Sequence, residues 1–215
     1  MSKKIKKIIK KTRHQLRWRV EIITGCDHNT CLITSNPRKK THKIEIPAQD
    51  VREIEYLHEL GHALLCETRH QMLSTHYFEP GTSEEILKQI TPAVRCMADW
   101  FVDAWLIKIA PAEEKAEIME HFKMVNNLPD SALEDPKLLT GAALIIAQAI
   151  KFCGVKKKLS GQLKMAVSAL LCINPEETNT KNIEKLTNNL LNCYSDIKIE
   201  AVFEKNLWIL KEIEK

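Results

Sequence analysis

Three short segments near the N-terminus predict β-strands, and in the first of them apolar and polar residues alternate with period two, as in a half-buried strand. The first has its apolar residues at Leu16, Trp18, Val20 and Ile22. Turn-like residues at 24–29 separate it from a second strand at 30–34. The third covers residues 43–47, and its closing proline is typical of a strand end or a sheet edge. The pattern therefore predicts a small three-stranded sheet.

Beyond residue 50 the apolar spacing changes to three and four residues, which predicts helices. Asp50 is the predicted N-cap of a helix at 50–67, and Thr91 and Pro92 are the predicted start of another that Pro111 stops. The other predicted helices are 2–14, one that follows the loop at 80–84, 112–126, 136–152, 160–172, 176–194 and 197–213.

These elements predict an α+β fold. A small N-terminal three-stranded sheet is expected to pack on the helix at 50–67 and on the helix at 92–110, followed by an all-helical C-terminal part. The expected units are a basic helix or arm at 1–14, a core at 15–111 and a helical region at 112–215.

The charged residues are distributed unevenly along the chain. The 215 residues are 44% apolar and 28% charged, as in an ordinary globular protein. Residues 1–19 hold six lysines and three arginines and no acid, so the rest has 23 basic and 28 acidic residues. A basic arm can bind nucleic acid or an anionic surface, but a solvated helix is the favoured interpretation.

The cysteines and the apolar runs indicate in which compartment of the cell the protein is located. Seven cysteines scattered through predicted helices and strands are not typical of a secreted disulfide framework, so reduced thiols in the cytoplasm are expected. The longest apolar run, residues 141–150, is interrupted by Gln148 and is too short for a membrane span. No secretion signal follows the basic N-terminus, so contact with a membrane is not expected.

Residues 58–62, His-Glu-Leu-Gly-His, form an HExxH motif inside a predicted helix. The four-residue spacing puts His58 and His62 on one face, where each imidazole can give one nitrogen to the same Zn²⁺. Glu59 projects beside that ion and can accept a proton from its water. Gly61 would let another element pass close to the helix. The motif predicts one zinc ion with two histidine ligands.

A catalytic zinc site needs a third protein ligand. Cys66, His70 and His76 lie near the motif but beyond its second histidine. Position 68, where the metzincin pattern has a third histidine, holds Thr68. None of these positions is favoured.

Asp99 and Asp103 are the better candidates. They share one face of a largely apolar helix, where a carboxylate needs a cation or a histidine partner. We favour Asp99 as the ligand and Asp103 as the group that orients a ligating imidazole. The reverse assignment is an alternative, as is a pair of surface acids bound to Arg95 or Lys108.

Together these residues resemble the minimal gluzincins, especially the ImmA/IrrE-like metallopeptidases. The resemblance covers about residues 15–110 and rests on the HExxH motif and on Ala98-Asp99-Trp100-Phe101 with Leu106 and Pro111. It implies a zincin-type peptidase that cleaves repressor-like regulatory proteins. The family's ligand glutamate falls at Arg95, which cannot ligate zinc. Either Asp99 substitutes for it, with a closer approach of the helices because aspartate is shorter, or the third ligand is lost.

The prediction is zinc-dependent hydrolysis of a protein or peptide substrate, with Glu59 as general base. An extended substrate would pair with the predicted edge strand, which includes Lys43, Ile44, Glu45 and Ile46. Candidate oxyanion stabilisers are His70, His76 and Tyr77.

The alternative function is that of a zinc-binding regulator with little or no protease activity. In this interpretation the helical tail or the basic arm binds a protein or nucleic acid. Arg95 favours it, whereas Glu59 opposes it because a purely structural site does not need a general base. A further hypothesis is a separate metal site in the turn that contains Cys26, His28 and Cys31. The alternative is that these cysteines are ordinary thiols in a loop.

Overall fold

The computed structural model describes residues 3–213 and has an α+β fold, which confirms the predicted class. Within that range it contains seven α-helices and two three-stranded sheets. The helices are α1 (Lys3–Gln15), α2 (Glu53–Thr68), α3 (Glu84–Ile109), α4 (Pro111–Val125), α5 (Pro136–Cys153), α6 (Gly161–Leu171) and α7 (Thr180–Leu191). The strands are β1 (Arg19–Cys26), β2 (Leu32–Asn36), β3 (Thr41–Pro47), β4 (Tyr77–Phe78), β5 (Lys198–Glu204) and β6 (Leu207–Ile213).

The N-terminal sheet has the strand order β1-β3-β2, with β1 parallel and β2 antiparallel to β3. A short connection folds β3 back against β2, and β1 pairs with the other side of β3. The outer edge of β2 is occupied at Ser35. There, the Ser35 N–H donates to Thr75 Oγ1 at 2.7 Å, and the Ser35 carbonyl accepts from Tyr77 at 3.1 Å. The prediction of an edge strand was wrong for Lys43, Ile44, Glu45 and Ile46, which lie in the central strand.

The helices α2 and α3 cross at very close range at Gly61. A Cβ atom at this position would lie 2.7 Å from the Trp105 ring and 2.9 Å from Val102 Cγ1. Side chains essentially never approach that closely, so the crossing requires glycine. The prediction that Gly61 lets another element pass is confirmed.

Two predicted helix starts were wrong. α2 begins at residue 53, and Asp50 does not cap it. Thr91 and Pro92 lie inside α3, which is one continuous helix of 26 residues. Pro92 removes one backbone donor of the helix, but the buried face of α3 continues on both sides of it. The predicted stop at Pro111 is confirmed, since α3 ends at Ile109, and Pro111 is the first residue of α4, which was predicted at 112–126.

The largest correction concerns residues 197–213, predicted as a helix, which form a β-hairpin. β5 and β6 pair antiparallel, and β6 also pairs in parallel with β4. The connecting Lys205 and Asn206 have φ angles of 48° and 65°, as a type I′ turn requires. Phe203 and Trp208 face each other across the hairpin with ring centroids 5.2 Å apart. The C-terminal part is therefore not all-helical.

One apolar cluster joins the C-terminal helices to α2 and α3. It extends from Leu65 to Leu210, with Trp100 and Phe101 of α3 almost completely buried within it. α5 packs against α3, α4 and α6. By length and composition α5 could cross a membrane, but 44% of it is buried in this fold, and core helices often meet the same criteria.

The basic N-terminal segment is a helix that packs on the body. Ile5 of α1 is buried against Leu57 of α2 and Leu106 of α3. The six lysines of α1 are exposed, and Lys4 pairs with Glu113 at 3.6 Å. The apolar stripe thus holds α1 in place and leaves its cations in solvent.

Candidate metal centre

Three side chains suited to metal binding converge between α2 and α3. His58 and His62 project from α2, and Asp99 faces them from α3. The Nε2 atoms of the two histidines are 2.9 Å apart. Asp99 Oδ1 lies 3.6 Å from His58 Nε2 and 3.2 Å from His62 Nε2. The close crossing at Gly61 brings the short aspartate within reach of both imidazoles.

Each histidine is oriented through its other ring nitrogen. His58 Nδ1 lies 2.8 Å from Asp103 Oδ1, and His62 Nδ1 contacts the carbonyl oxygen of Leu73. A carboxylate and a carbonyl can only accept, so both Nδ1 atoms donate, and each neutral imidazole has a lone pair on Nε2. The side-chain amide of Gln148 in turn donates to Asp103 Oδ2. Ligating histidines in metal proteins are held in the same way.

The separations of the three atoms are close to those of zinc ligands. Zinc bonds nitrogen and oxygen at about 2.0–2.2 Å with tetrahedral angles, which places ligand atoms about 3.3–3.6 Å apart. The observed separations are 2.9, 3.2 and 3.6 Å, so two of the three are shorter than this range. At the shortest distance the two Nε2 atoms share either a proton or a metal ion. With small shifts of the imidazoles, His58, His62 and Asp99 could hold a zinc ion.

The electrostatics of the cluster also favour a cation. Burial lowers the pKa of His58, but the contacts with Asp103 and Asp99 outweigh burial and raise that pKa well above its ordinary value. Burial raises the pKa of Asp99, but its contacts with His58 and His62 outweigh this effect and hold the pKa well below its usual range. The cluster therefore attracts positive charge, and a divalent ion can replace the proton.

Glu59 lines a cavity of about 510 Å³ beside the two histidines. Burial raises the pKa of its carboxyl group, and the positive charges of His62 and His58 and the Ile33 backbone partly offset the rise. A carboxylate with a raised pKa is a better proton acceptor than an ordinary carboxylate.

The strand that borders this cavity is β2 rather than β3. The outward backbone groups of Ser35 are bonded to Thr75 and Tyr77. Because a strand repeats every two residues, the backbone groups of Ile33 face the same side. The part of the edge around Ile33 therefore lies next to Glu59 and the ligand cluster.

The other candidate residues have different surroundings. His70 Nε2 bonds Thr180 at 3.1 Å, and Tyr77 donates to a strand carbonyl. Cys66 is buried and, like these two, lies outside the ligand cluster. His76 does line the cavity, and its buried Nε2 has no hydrogen-bond partner among residues 3–213. His76 is thus the candidate that faces the site.

Arg95 lies exposed at the rim of the site, one turn before Asp99. It also lines a neighbouring cavity of about 600 Å³. Asp99 and Asp103 contact histidines instead of Arg95 or Lys108, and Lys108 pairs with Glu176 at 3.0 Å. The alternative of two surface acids paired with those cations was wrong.

Sequence reasoning missed three groups around the site. A backbone carbonyl such as that of Leu73 leaves no signal in a sequence. Gln148 could have been identified from the sequence, because it is the single polar side chain in the apolar run 141–150. Glu114 is buried in a neighbouring cavity of about 400 Å³, where burial and then the charge of Asp103 raise its pKa to about 8.

In comparisons with protein-family models, curated proteins and solved structures, no significant match to this chain was found. The resemblance to the ImmA/IrrE-like metallopeptidases rests on the motifs alone, so the functional argument depends on the geometry of the cluster.

Proposed function

We propose that the protein is a zinc-dependent metallopeptidase with His58, His62 and Asp99 as ligands and Glu59 as general base. The proposal depends on one observation above all: the three ligand atoms lie within 4.8 Å of one another beside a cavity. Three protein ligands and an open position are typical of catalytic zinc sites. A zincin-type core like that of the minimal gluzincins and a cytoplasmic location belong to the same proposal.

The chain's own residues have distinct tasks in this mechanism. When bound, zinc lowers the pKa of a water molecule to about 7 and polarises the scissile carbonyl. Glu59 accepts the proton of the attacking water and passes it to the leaving amine. Asp103 orients His58. His76 is neutral because burial lowers its pKa to about 4, and its other ring nitrogen donates to the Met72 backbone. Its Nε2 therefore accepts a hydrogen bond from an N–H group of the substrate in the cavity.

The proposed substrate is an extended segment of a protein. The backbone of Ile33 on the outer edge of β2 already bonds the Glu59 carboxylate, so a substrate strand would pair with the neighbouring edge groups of β2 or displace that contact. In the adjacent cavity of about 600 Å³, Leu87, Pro92 and Leu144 form an apolar wall that suits an apolar side chain near the scissile bond. Arg95 at the rim suits a substrate carboxylate. Repressor-like regulators are the substrate class that the family resemblance implies.

The second candidate is a zinc-binding regulator without protease activity. Arg95 favours it, because the resembled family has a ligand glutamate at that position. In this case the six exposed lysines of α1 are the surface available to nucleic acid, and the C-terminal part is the surface available to a protein. Both candidates need the same zinc ligands, but only the peptidase needs Glu59.

Metal analysis of purified variants tests the ligand set. We expect Asp99→Ala and His62→Ala each to lose one equivalent of zinc relative to the wild type, because only two ligands are left. Asp103→Ala keeps the ligands and lowers the affinity about 10–100-fold. Glu85→Ala removes an exposed carboxylate from the same helix and serves as the matched control. Wild-type zinc content in Asp99→Ala would contradict the assignment.

Cleavage of a mixed peptide library distinguishes the peptidase from the regulator. New peptide termini are identified by mass spectrometry after incubation with zinc-loaded wild type or Glu59→Gln. We expect cleavage by the wild type and at least about 100-fold slower cleavage by Glu59→Gln at equal zinc content. Equal rates would rule out the proposed base. A zinc-loaded wild type that cleaves nothing would favour the regulator.

A further inference from the structure

A second group of metal-ligating side chains lies at the end of β1. Cys26 Sγ, one nitrogen of His28 and a carboxylate oxygen of Glu45 all lie within 4.8 Å of one another. Cys26 is the last residue of β1, His28 lies in the loop that follows, and Glu45 belongs to the central strand β3. All three are partly exposed, so an ion can reach them from solvent.

The local backbone is shaped to bring these residues together. The pairing of β1 with β3 shifts register between Thr24 and Cys26. Gly25 lies at this bulge with a φ of 79°, a conformation that favours glycine. The Cys26 carbonyl accepts from the Ala48 backbone N–H at 3.2 Å, which holds Cys26 next to β3. The bulge thus places the thiol beside a carboxylate of the adjacent strand.

The hydrogen bond of His28 Nδ1 leaves the other ring nitrogen of this residue with an unsatisfied lone pair. His28 Nδ1 lies 2.7 Å from the carbonyl oxygen of Thr30. A carbonyl can only accept, so Nδ1 donates, and the neutral ring has a lone pair on Nε2. This Nε2 is buried and has no hydrogen-bond partner within residues 3–213. Buried polar atoms without partners are rare, and a bound ion is one of the accepted explanations.

The side chains of Glu45 and Cys26 also have atoms that can still bind a metal ion. Glu45 Oε1 accepts from Lys43 Nζ at 2.7 Å, and Oε2 is available for an ion. The Cys26 thiol has one weak contact, 3.9 Å from the Ile23 carbonyl. Neither interaction has to break completely for the two groups to bind a metal.

We propose that Cys26, His28 and Glu45 form a second metal site that binds a zinc-class divalent transition metal. Thiolate with imidazole and one carboxylate is a set that zinc accepts, whereas magnesium and calcium prefer oxygen ligands alone. Binding releases the thiol proton of Cys26 and uses the lone pair of His28 Nε2. The site is independent of the proposed peptidase function.

Such an ion would fix the loop between β1 and β2 to the central strand. That loop ends at Thr30 and Cys31, which line the cavity beside Glu59. The second site therefore stabilises one wall of the first cavity without supplying a residue to its chemistry.

Cobalt substitution tests the proposal. Co²⁺ bound to a thiolate gives a near-ultraviolet charge-transfer band, whereas the cluster of His58, His62 and Asp99 contains no sulfur. We expect the metal-free wild type titrated with Co²⁺ to develop the band. Cys26→Ser should abolish it, and His28→Ala should weaken Co²⁺ binding at least about tenfold.

Two matched controls keep the result specific. The double variant His58→Ala/His62→Ala should keep the band, because it removes only the first cluster. Cys172→Ser removes an exposed thiol elsewhere and should also keep it. Circular dichroism shows that each variant is folded before titration. A wild type without the band, or a band that persists in Cys26→Ser, would overturn the proposal.

Discussion

His58, His62 and His28 each donate from Nδ1 to an oxygen acceptor, so in each ring Nε2 is the nitrogen that can bind a metal ion once it holds no proton. His70 has the opposite arrangement. Its Nδ1 accepts from the Met72 backbone N–H at 3.3 Å, so its Nε2 donates to Thr180. At the residue scale, the partner of one ring nitrogen thus decides whether the other can bind a metal. Histidine positions in the sequence do not contain this information.

His70 should make the protein sensitive to mild acid. Burial lowers its pKa from 6.5 to about 4, so the folded state binds fewer protons than the unfolded state between these two values. This contribution to stability is complete above pH 6.5, decreases as the pH falls and is lost below about pH 4. The pKa difference of His70 between the folded and unfolded states contributes at most about 3 kcal/mol to the free energy of unfolding.

The measurement is the free energy of unfolding in urea as a function of pH. We expect His70→Asn to show a smaller decrease between pH 6.5 and 4.5 than the wild type. His14→Asn, on an exposed part of α1, should retain the wild-type slope. Identical slopes for wild type and His70→Asn would contradict the prediction.

At the scale of elements, the crossing of α2 and α3 explains how an aspartate can serve where the resembled family has a glutamate one turn earlier. Asp99 has a shorter side chain, so its helix must lie closer to the histidines. Gly61 allows that approach, because Trp105 and Val102 occupy the space that a Cβ atom would need. Gly61 and Asp99 therefore depend on each other, although they lie on different helices.

Gly61→Ala should disturb the metal centre through the helix crossing. The added methyl group displaces Trp105 or Val102, and such overpacking costs about 1–3 kcal/mol of stability. Because Val102 lies between Asp99 and Asp103 in the sequence, we expect zinc affinity to fall about tenfold or more. Thermal unfolding and a competitive zinc titration measure the two effects.

Gly141→Ala on α5 is the matched control, since nothing lies within 4 Å of a Cβ atom there. In a helix this change should be neutral or should stabilise by up to about 1 kcal/mol, and zinc affinity should stay the same. If Gly61→Ala binds zinc as tightly as Gly141→Ala does, the crossing does not control the site.

At the scale of the whole molecule, a buried chain of hydrogen bonds joins the N-terminal sheet to α2. Ser35 Oγ lies 2.7 Å from His42 Nδ1, and His42 Nε2 lies 2.9 Å from Glu67 Oε1. Glu67 also accepts from the backbone N–H groups of Arg17 and Trp18. The order serine, histidine, acid resembles a hydrolase triad, but Ser35 and His42 are completely buried. Its role is therefore structural.

Glu67→Ala should destabilise the whole fold. It leaves the buried His42 ring without its acceptor, which costs about 1–3 kcal/mol, and it also removes the acceptor of the more exposed N–H groups of Arg17 and Trp18. Glu67→Gln keeps one acceptor oxygen, so its free energy of unfolding should decrease less. Urea denaturation measures both, with Glu200→Ala on the exposed face of β5 as a control within about 0.5 kcal/mol of the wild type. A loss below about 1 kcal/mol for Glu67→Ala would contradict this role.

Sequence patterns were most informative where chemistry is local. The spacing of His58 and His62 on a helix, the small residue at 61 and the two acids on one face of α3 follow from helical periodicity alone. The helices from α4 to α7 also follow from it, because their apolar stripes face one common core. In contrast, the helix predicted at 197–213 was wrong, because β5 and β6 pair with each other across a tight turn at Lys205 and Asn206.

The sequence by itself determined which residues can bind a metal and on which helical faces they lie, because residue type and periodicity are local properties. Tertiary structure decided the rest. It set the order of the strands, so that β2 rather than β3 borders the cavity, and it brought Asp99 to the two histidines and Gln148 to Asp103. It also placed Glu45 beside Cys26 and His28. Contacts between residues distant in sequence depend on packing, which no local pattern encodes.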